Sequence, residues 1–218
     1  MHALIVVAHP DPTSLTHAVA AQVADGVAAA GHTAEIADLA AESFDPRFTA
    51  TDLVVHREQR TPTPDVVAEQ ARIDRADTLV LVYPVYWWSF PALLKGWIDR
   101  VFSNGWAYDE RPGQGLVKKL HHLDVHLVAV GGADLRTYAR HGYFGAMRTQ
   151  IDHGIFDYCG ARVVTSELLV DSHAQDGSAN LRAARDIGRR VASSRTRRPR
   201  PAEGAPRQTA PAAQLAAC

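Results

Sequence analysis

The sequence predicts a doubly wound α/β fold, in which helices cover both faces of a five-stranded parallel sheet. Short apolar segments rich in β-branched residues alternate along the chain with segments of helical composition. Most of these apolar segments lack a polar and apolar alternation, which is typical of strands buried on both faces. Parallel strands need long crossover connections, and the intervening helical segments supply them.

Five strands and five main helices follow from this pattern. The predicted strands are Ala3–Ala8, Thr33–Leu39, Thr78–Pro84, Val125–Gly132 and Ala161–Val170. The predicted helices are Ser14–Ala30, Val66–Arg75, Pro91–Ser103, Phe144–Tyr158 and Ala179–Ala192. Thr13 or Ser14 is a suitable N-cap for the first helix, and Gly31 follows its end. Between Ala40 and Pro64 no period is clear, so loops and a short helix are expected there.

Composition divides the chain into a folded body and a tail. The chain has 218 residues and is 46% hydrophobic, which suffices for one compact α/β domain with a sizeable core, over residues 1–192. Residues 193–218 carry five arginines and almost no large apolar side chain, so we predict a disordered tail. The body holds 18 basic and 23 acidic residues. A body without a basic excess disfavours a nucleic-acid partner.

Several other classes of protein are disfavoured by the sequence. The two cysteines, Cys159 and Cys218, do not form a disulfide framework, and no apolar segment approaches the length of a membrane helix. The N-terminus lacks the features of a secretory signal, so we expect a cytoplasmic protein without membrane insertion. No spacing among the eleven histidines matches a metal site, and we expect none.

The first strand leads into AHPDPTSLTHA, residues 8–18, where a turn meets the start of a helix. Free N–H groups and the helix dipole make such a turn a site for an anion such as phosphate. His9, Thr13, Ser14 and Thr16 add hydrogen-bond donors. The glycine-rich fingerprints of P-loops and dinucleotide-binding turns are absent, and an ordinary N-cap turn is an equally good interpretation.

Two further strand ends carry unusual residues. After Thr78–Pro84, residues Tyr86, Trp87 and Trp88 provide flat aromatic rings where a planar ligand would lie, although aromatic residues more often fill cores and interfaces. After Val125–Gly132, a polar loop is expected to carry Tyr138 and His141, which could stabilise negative charge. Gly131 and Gly132 would let the backbone approach a ligand closely.

These segments together resemble the NAD(P)H:quinone oxidoreductase, or DT-diaphorase, family. The resemblance rests on AHPDPTSLTHA, on YPVYWWSFPALLKGWIDRVFSNGWAY and on VGG followed by a tyrosine and a histidine, and it covers about residues 2–190. The short bacterial members, including flavoproteins that regulate glutathione-gated potassium efflux, are equally similar. The resemblance implies a flavodoxin-like sheet with strand order 2-1-3-4-5 and a bound flavin.

The resemblance also implies a role for each segment. Residues Pro84, Val85, Tyr86, Trp87 and Trp88 would hold the isoalloxazine ring, and Trp106 and Tyr108 would close one of its edges. The phosphate and ribityl chain would be bound by residues of the first loop, namely His9, Thr13, Ser14, Leu15 and Thr16. Gly131 and Gly132 would face the pyrimidine end, with Tyr138 and His141 as the charge-stabilising pair.

The chain departs from the family pattern at a few positions. Leu15 and Thr16 replace the usual aromatic residue and asparagine, and Val130 replaces the threonine before the two glycines. The long C-terminal extension of the mammalian enzymes is absent or replaced by the arginine-rich tail. Contacts to an adenine are therefore less well supported, and FMN is favoured over FAD as the cofactor.

We therefore predict a flavin-dependent NAD(P)H oxidoreductase that passes hydride through flavin N5, in ping-pong order, to a quinone or similar aromatic acceptor. The family is typically a homodimer with the active site at the interface. An aromatic edge near Trp87, Trp97 and Trp106 is consistent with such an interface. The alternatives are a flavin-binding regulatory subunit of a potassium-efflux or other transport system, and a one-electron carrier.

Overall fold

The main sheet contains five parallel strands. The computed structural model describes residues 1–113, 115–170 and 178–194. Its long strands are β1 (His2–Val7), β2 (Thr33–Asp38), β3 (Thr78–Pro84), β6 (Asp124–Val130) and β7 (Arg162–Leu169). They pair in the order β2-β1-β3-β6-β7, and every pairing is parallel. Counting only the long strands, this is the predicted order 2-1-3-4-5, so the predicted flavodoxin-like fold is confirmed.

Helices connect the strands and complete the described elements. They are α1 (Leu15–Ala29), α2 (Ala50–Glu58), α3 (Pro64–Arg75), α4 (Ala92–Val101), α5 (Leu135–His141), α6 (Tyr143–Met147), a π-helix (Arg148–Asp157) and α7 (Ser178–Ser194). A small antiparallel pair, β4 (Tyr108–Asp109) and β5 (Val117–Lys118), follows α4. The short helix expected between Ala40 and Pro64 is α2. The segment before Phe144, expected to be a loop, instead contains α5.

The sheet separates two apolar cores. On one face Leu4 and Val6 of β1 pack in the cluster that contains Ile73 of α3 and Trp97 of α4. On the other face Ile5 and Val7 pack with side chains of α1 and α7. Successive residues of a strand point to opposite faces, so an uninterrupted apolar strand supplies both cores at once.

Buried polar contacts attach α2 and α3 to α4. Arg100 is only 6% exposed, and its guanidinium contacts Asp52 at 3.1 Å and Asp65 at 2.7 Å. Burial alone would raise the pKa of Asp52, but hydrogen bonds from Thr49 and the contact with Arg100 lower it. These contacts satisfy a buried charge that would otherwise be costly.

Trp97 lies inside this core, and its placement corrects one expectation. The residue is fully buried, and its Nε1–H donates to Glu69 Oε2 at 2.9 Å. It therefore belongs to no exposed aromatic edge. The apolar stripe of α4 is confirmed, since Leu94, Ile98 and Val101 are buried, and Lys95 forms the expected pair with Asp99 at 2.7 Å.

Helices α1 and α7 approach each other through two glycines. A Cβ added at Gly26 would lie 2.9 Å from the Cα of Gly188, and one added at Gly188 would overlap the carbonyl oxygen of Val23. Protein interiors are close-packed, so such an approach is closed to any larger residue. The glycines therefore fix how closely the last described helix lies against the first.

Two further expectations concern the C-terminal tail and the membrane. Apart from its first two residues, which belong to α7, the predicted disordered tail over residues 193–218 lies outside the described residues. Across the described part of the chain, no helix combines the length and apolarity required to cross a bilayer.

His126 is a buried polar residue in the middle of β6. It is 1% exposed; its Nδ1 lies 2.8 Å from Thr165 Oγ1, and its Nε2 has no hydrogen-bond partner. Burial lowers the pKa of His126 from 6.5 to about 4. Between these values the unfolded chain takes up a proton that the folded chain does not, so folding becomes less favourable as the pH falls.

We expect His126→Leu to reduce the acid sensitivity of the fold. Between about pH 7 and pH 4, the decrease in the free energy of unfolding should be smaller by about 3 kcal/mol in the variant than in the natural chain. Urea unfolding followed by tryptophan fluorescence at several pH values measures this difference. Parallel curves for the two proteins over this range would show that His126 does not titrate as inferred.

Candidate functional site

Three loops open at the carboxyl edge of the sheet, as expected for a parallel sheet that binds ligands. Pro84 at the end of β3 lies opposite Val130 at the end of β6. Beyond these ends, the N–H of Val85 donates to the carbonyl oxygen of Val130 at 2.9 Å. The turn after β1 lies at the same edge, because β1 pairs with β3 in parallel. Ligands of doubly wound sheets bind at this edge.

The loop after β3 is a tight hairpin with an unusual backbone. The N–H of Tyr86 donates to the Ser89 carbonyl at 3.2 Å, and the N–H of Ser89 donates to the Tyr86 carbonyl at 3.0 Å. The two residues between them, Trp87 and Trp88, have φ values of 49° and 60°. Hairpin turns of this kind are normally made by Asn-Gly or similar pairs. Non-glycine residues in this region cost about 1–3 kcal/mol each and concentrate at functional sites.

The hairpin borders an open cleft with a volume of about 170 Å³. The residues that line it come from the loops after β3 and β6 and from α5, namely Val85, Trp87, Trp88, Gly132, Ala133 and Tyr138. Trp87 is 93% exposed, so its ring makes few contacts with the rest of this chain. Aromatic walls and exposed backbone at a strand end are suited to a planar ligand.

Gly131 lies where a side chain could not fit. A Cβ at this position would be 2.8 Å from Tyr138 Oη and 3.2 Å from Leu168 Cδ1. Its own N–H donates to the Leu169 carbonyl at 2.8 Å. Gly131 thus lies against the Tyr138 hydroxyl, while Gly132 is exposed and lines the cleft. The expected approach of the glycine backbone to a ligand stays a prediction.

Tyr138 and His141 lie in α5 rather than in a loop. Asp134 is the N-cap of this helix and accepts the N–H of Thr137 at 2.8 Å, and Gly142 ends the helix in a left-handed conformation. Tyr138 is 1% exposed and lines the cleft, whereas His141 is exposed and contacts Tyr143. Burial raises the pKa of Tyr138, so its hydroxyl stays protonated and able to donate at neutral pH.

The turn after β1 has the geometry of a helix start that can bind an anion. Ser14 is the N-cap of α1, which decides between the two predicted caps. The N–H groups of Leu15 and Thr16 belong to the first turn and have no acceptor one turn earlier. Thr13 differs from the expectation, because its hydroxyl donates to Asp11 at 2.7 Å. The Thr16 side chain is buried, which leaves its backbone as the available donor.

His9 also lies in this turn, where one of its ring nitrogens already has a hydrogen-bond partner. The N–H of Asp11 donates to His9 Nδ1 at 3.0 Å. Hydrogen bonds from Thr13 lower the pKa of Asp11, which keeps this carboxylate ionised at the mouth of the turn. An anion at the start of α1 would therefore lie near one negative charge as well as the helix dipole.

Sequence reasoning missed a hydrogen-bonded chain beside this turn. Ser14 Oγ lies 3.0 Å from His17 Nδ1, and His17 Nε2 lies 2.8 Å from Asp38 Oδ2 at the end of β2. Burial would raise the pKa of Asp38, but the N–H of Ala41 and the His17 ring lower it. These hydrogen bonds orient the Ser14 hydroxyl. Helical spacing places His17 beside Ser14, but only the pairing of β1 with β2 brings Asp38 within reach.

Trp106 and Tyr108 are not brought to the cleft within one chain. Trp106 Nε1–H donates to Asp74 at 3.3 Å, close to where β3 begins and thus at the opposite edge of the sheet. Tyr108 contacts His56 and Tyr158, and burial raises its pKa to about 12. The reason is that α4 runs back along the sheet before these residues. Their assignment to the flavin edge stays a prediction.

The fold is a doubly wound α/β sheet, and an open cleft lies at the carboxyl ends of its strands. A family model described as the flavodoxin-like fold matches residues 1–191. The chain therefore belongs to the flavodoxin-like fold family.

Individual relatives agree with this assignment and with the resemblance seen in the sequence. Ribosyldihydronicotinamide dehydrogenase [quinone] of Pongo abelii is 32% identical over 188 residues, covering 76% of this chain and 79% of the relative. An uncharacterized NAD(P)H oxidoreductase of Haemophilus influenzae is 32% identical, covering 82% and 88%. The solved NAD(P)H:quinone oxidoreductase from Methanothermobacter marburgensis is 30% identical, with a TM-score of 0.79 over 88% of this chain and 98% of that one. The predicted resemblance to this family is confirmed.

We expect Gly131→Ala to distort the cleft. The added methyl group would meet the Tyr138 hydroxyl, and overpacking of this kind costs about 1–3 kcal/mol. The free energy of unfolding should fall by this amount. The double variant Gly131→Ala with Tyr138→Phe should recover part of it, because the closest atom is removed.

Thermal and urea unfolding of the four proteins of this cycle measure the coupling. Gly145→Ala is the matched control, since a Cβ there meets nothing within 4 Å. If the double variant were no more stable than Gly131→Ala, the Tyr138 hydroxyl would not be what limits the space at Gly131.

Proposed function

We propose that the protein is a flavin-dependent NAD(P)H oxidoreductase that binds FMN at the carboxyl edge of the sheet and reduces quinones or similar electron-poor aromatic acceptors. The observation that carries this proposal is the strained hairpin at Trp87 and Trp88, which turns two rings and their backbone toward one cleft. Relatives about 30% identical over most of their length are named as NAD(P)H quinone dehydrogenases, which supports the same reaction.

The residues present fit a flavin. The helix start at Ser14 suits a terminal phosphate, the hairpin suits a planar ring, and the exposed Gly132 lines the cleft without a side chain that would occupy it. A protein of Treponema denticola described in complex with FMN shares the fold, with a TM-score of 0.59 at 23% identity. FMN needs one anion site, which the turn after β1 supplies, and FAD remains the alternative to be tested.

A flavin held by the hairpin and the start of α1 would supply the redox chemistry, namely hydride transfer between a nicotinamide and the acceptor. The protein contributes position and electrostatics. The Tyr138 hydroxyl keeps its proton on Oη and can donate a hydrogen bond to negative charge that develops in the cleft. Trp87 and Trp88 would exclude water from the cleft that they line, and the start of α1 would orient the phosphate.

The first test is an anaerobic absorbance titration of protein loaded with FMN. We expect NADPH or NADH to bleach the flavin band and an added benzoquinone to restore it, because both reactants use one cleft in turn. Parallel loading with FAD and with riboflavin measures the preference for a single phosphate. A bound flavin that no nicotinamide reduces would instead favour the regulatory subunit or the one-electron carrier.

The rate of bleaching after rapid anaerobic mixing with NAD(P)H separates the two predicted catalytic residues. Tyr138→Phe should slow the bleaching about 10-fold or more while FMN stays bound, the effect expected of a lost donor to developing charge. Combining it with His141→Ala should add little, since His141 is exposed and does not line the cleft. Unchanged reduction rates in the double variant would remove both residues from the mechanism.

We also propose that two copies of the chain share each active site. Support comes from the exposed Tyr86 and Trp87 at the cleft and from Trp106 and Tyr108, which lie in another part of the same chain. A two-fold dimer would let one copy supply the cleft and the other supply the second aromatic cluster. Burial in such an interface would also cover the Trp87 ring.

Mixing two inactive variants tests the shared site. Gly132→Trp should block the cleft, and Tyr108→Ala should remove the second aromatic cluster. After subunit exchange, an equal mixture should recover about a quarter of the natural activity, because each mixed dimer contains one intact site. No recovery by mixing, or a monomer by light scattering, would contradict the proposal.

A further inference from the structure

The segment that follows β6 holds the aromatic hairpin at two points. Tyr143, the first residue of α6, stacks on Trp88 with ring centroids 3.7 Å apart and planes inclined by 11°. The Ser89 hydroxyl donates a hydrogen bond to Oε1 of Gln150 in the π-helix, with the two oxygens 2.6 Å apart. Both contacts reach the short turn that carries the two left-handed tryptophans.

Tyr143 touches Trp88 from outside the cleft. Trp88 and Tyr138 line the cleft, and their rings meet edge to face with centroids 5.1 Å apart. Tyr143 is not among the lining residues, although it stacks on the same indole. The indole is thus held by one tyrosine that lines the cleft and one that does not, which leaves little freedom for its plane.

Packing in the core does not explain where the Tyr143 and Gln150 side chains lie. Tyr143 is half-buried and Gln150 is exposed, and neither belongs to the fully buried cores. Gln150 bonds to the hairpin, and the closest ring contact of Tyr143 is with Trp88, ahead of its contacts with His141 and Tyr138 of α5. Gly142, in a left-handed conformation with φ of 70°, sets the direction in which α6 begins. The contacts therefore act on the local placement of Trp88 rather than on the packing of the sheet.

We propose that Tyr143 and Gln150 are positioning residues that fix the Trp88 indole as a flat wall of the cleft and so favour planar aromatic acceptors. The proposal rests on the proposed function and names the class of acceptor that this cleft selects. A planar acceptor gains from stacking only while the indole keeps its plane. Where the competent conformation is populated less, the apparent affinity falls by the same fraction.

The test compares a planar acceptor with one that does not stack. Steady-state kinetics of FMN-loaded protein are measured with a naphthoquinone and with ferricyanide at saturating NAD(P)H. Tyr143→Leu should raise the ratio of the naphthoquinone KM to the ferricyanide KM by about 2- to 10-fold, the range expected for the loss of one aromatic pair. Gln150→Ala should shift the ratio in the same direction by less.

Two variants separate positioning from a general structural effect. Tyr143→Phe keeps the stacked ring and should restore the natural ratio. Phe48→Leu removes an exposed aromatic ring just before α2. This ring contacts His56 and does not line the cleft, so the variant should also keep the natural ratio. A ratio unchanged by Tyr143→Leu, or one that falls because Tyr143 competes with the acceptor, would overturn the proposal.

A binding measurement keeps the proposal separable from the proposed function. Quenching of tryptophan fluorescence by the naphthoquinone follows its binding to the full chain without turnover. Tyr143→Leu should shift the quenching midpoint to about 2- to 10-fold higher concentration, and Tyr143→Phe should not. If NAD(P)H never reduces the bound flavin but this shift is found, only the proposed function fails; equal midpoints for Tyr143→Leu and the natural chain overturn the positioning role.

Discussion

The arrangement of the cleft depends on two consecutive tryptophans that adopt the left-handed backbone conformation. Trp87 and Trp88 together cost a few kcal/mol relative to glycine in the same turn, which is a substantial part of the 5–15 kcal/mol that stabilises a typical domain. The turn persists because β3 fixes the segment that enters it and two hydrogen bonds close it. Pro84 is paired with Val130, and the Tyr86 and Ser89 backbones close the turn with two hydrogen bonds.

A conformation held in this way is prepared before any ligand arrives. The three loops that could contact a ligand project from neighbouring strands whose register is fixed over most of their length. Binding then requires little ordering of the protein, so more of the contact energy remains available for affinity. The helix start at Ser14, the hairpin and the glycine pair differ in chemistry, but the same sheet sets the distances between them.

Much of the fold could be predicted because the strands are buried on both faces and so appear as uninterrupted apolar segments. The N-cap at Ser14 and the stripe of α4 followed from local chemistry in the same way. Helix α5 was missed although Asp134 and Gly142 are suitable caps at its two ends, because seven residues are too few for a helical period to emerge. The π-helix has no distinct sequence period either.

The site was less predictable, because its contacts join distant parts of the chain. The His17–Asp38 pair spans 21 residues and exists only through the pairing of β1 with β2. The stack of Tyr143 on Trp88 depends on the direction that Gly142 gives to α6. Trp106 and Tyr108 follow the motif closely in sequence, yet the length of α4 takes them to the opposite edge of the sheet.

The contact of Gly26 with Gly188 has a consequence for how the protein is made. Helix α1, which carries the turn after β1, is among the first elements to leave the ribosome, and α7, which covers it, is the last described. Contacts so far apart in sequence form late, since a long loop must close before they are gained. During synthesis the part of α1 that packs against α7 therefore stays uncovered until α7 has emerged, and apolar surface exposed in this way is prone to aggregate.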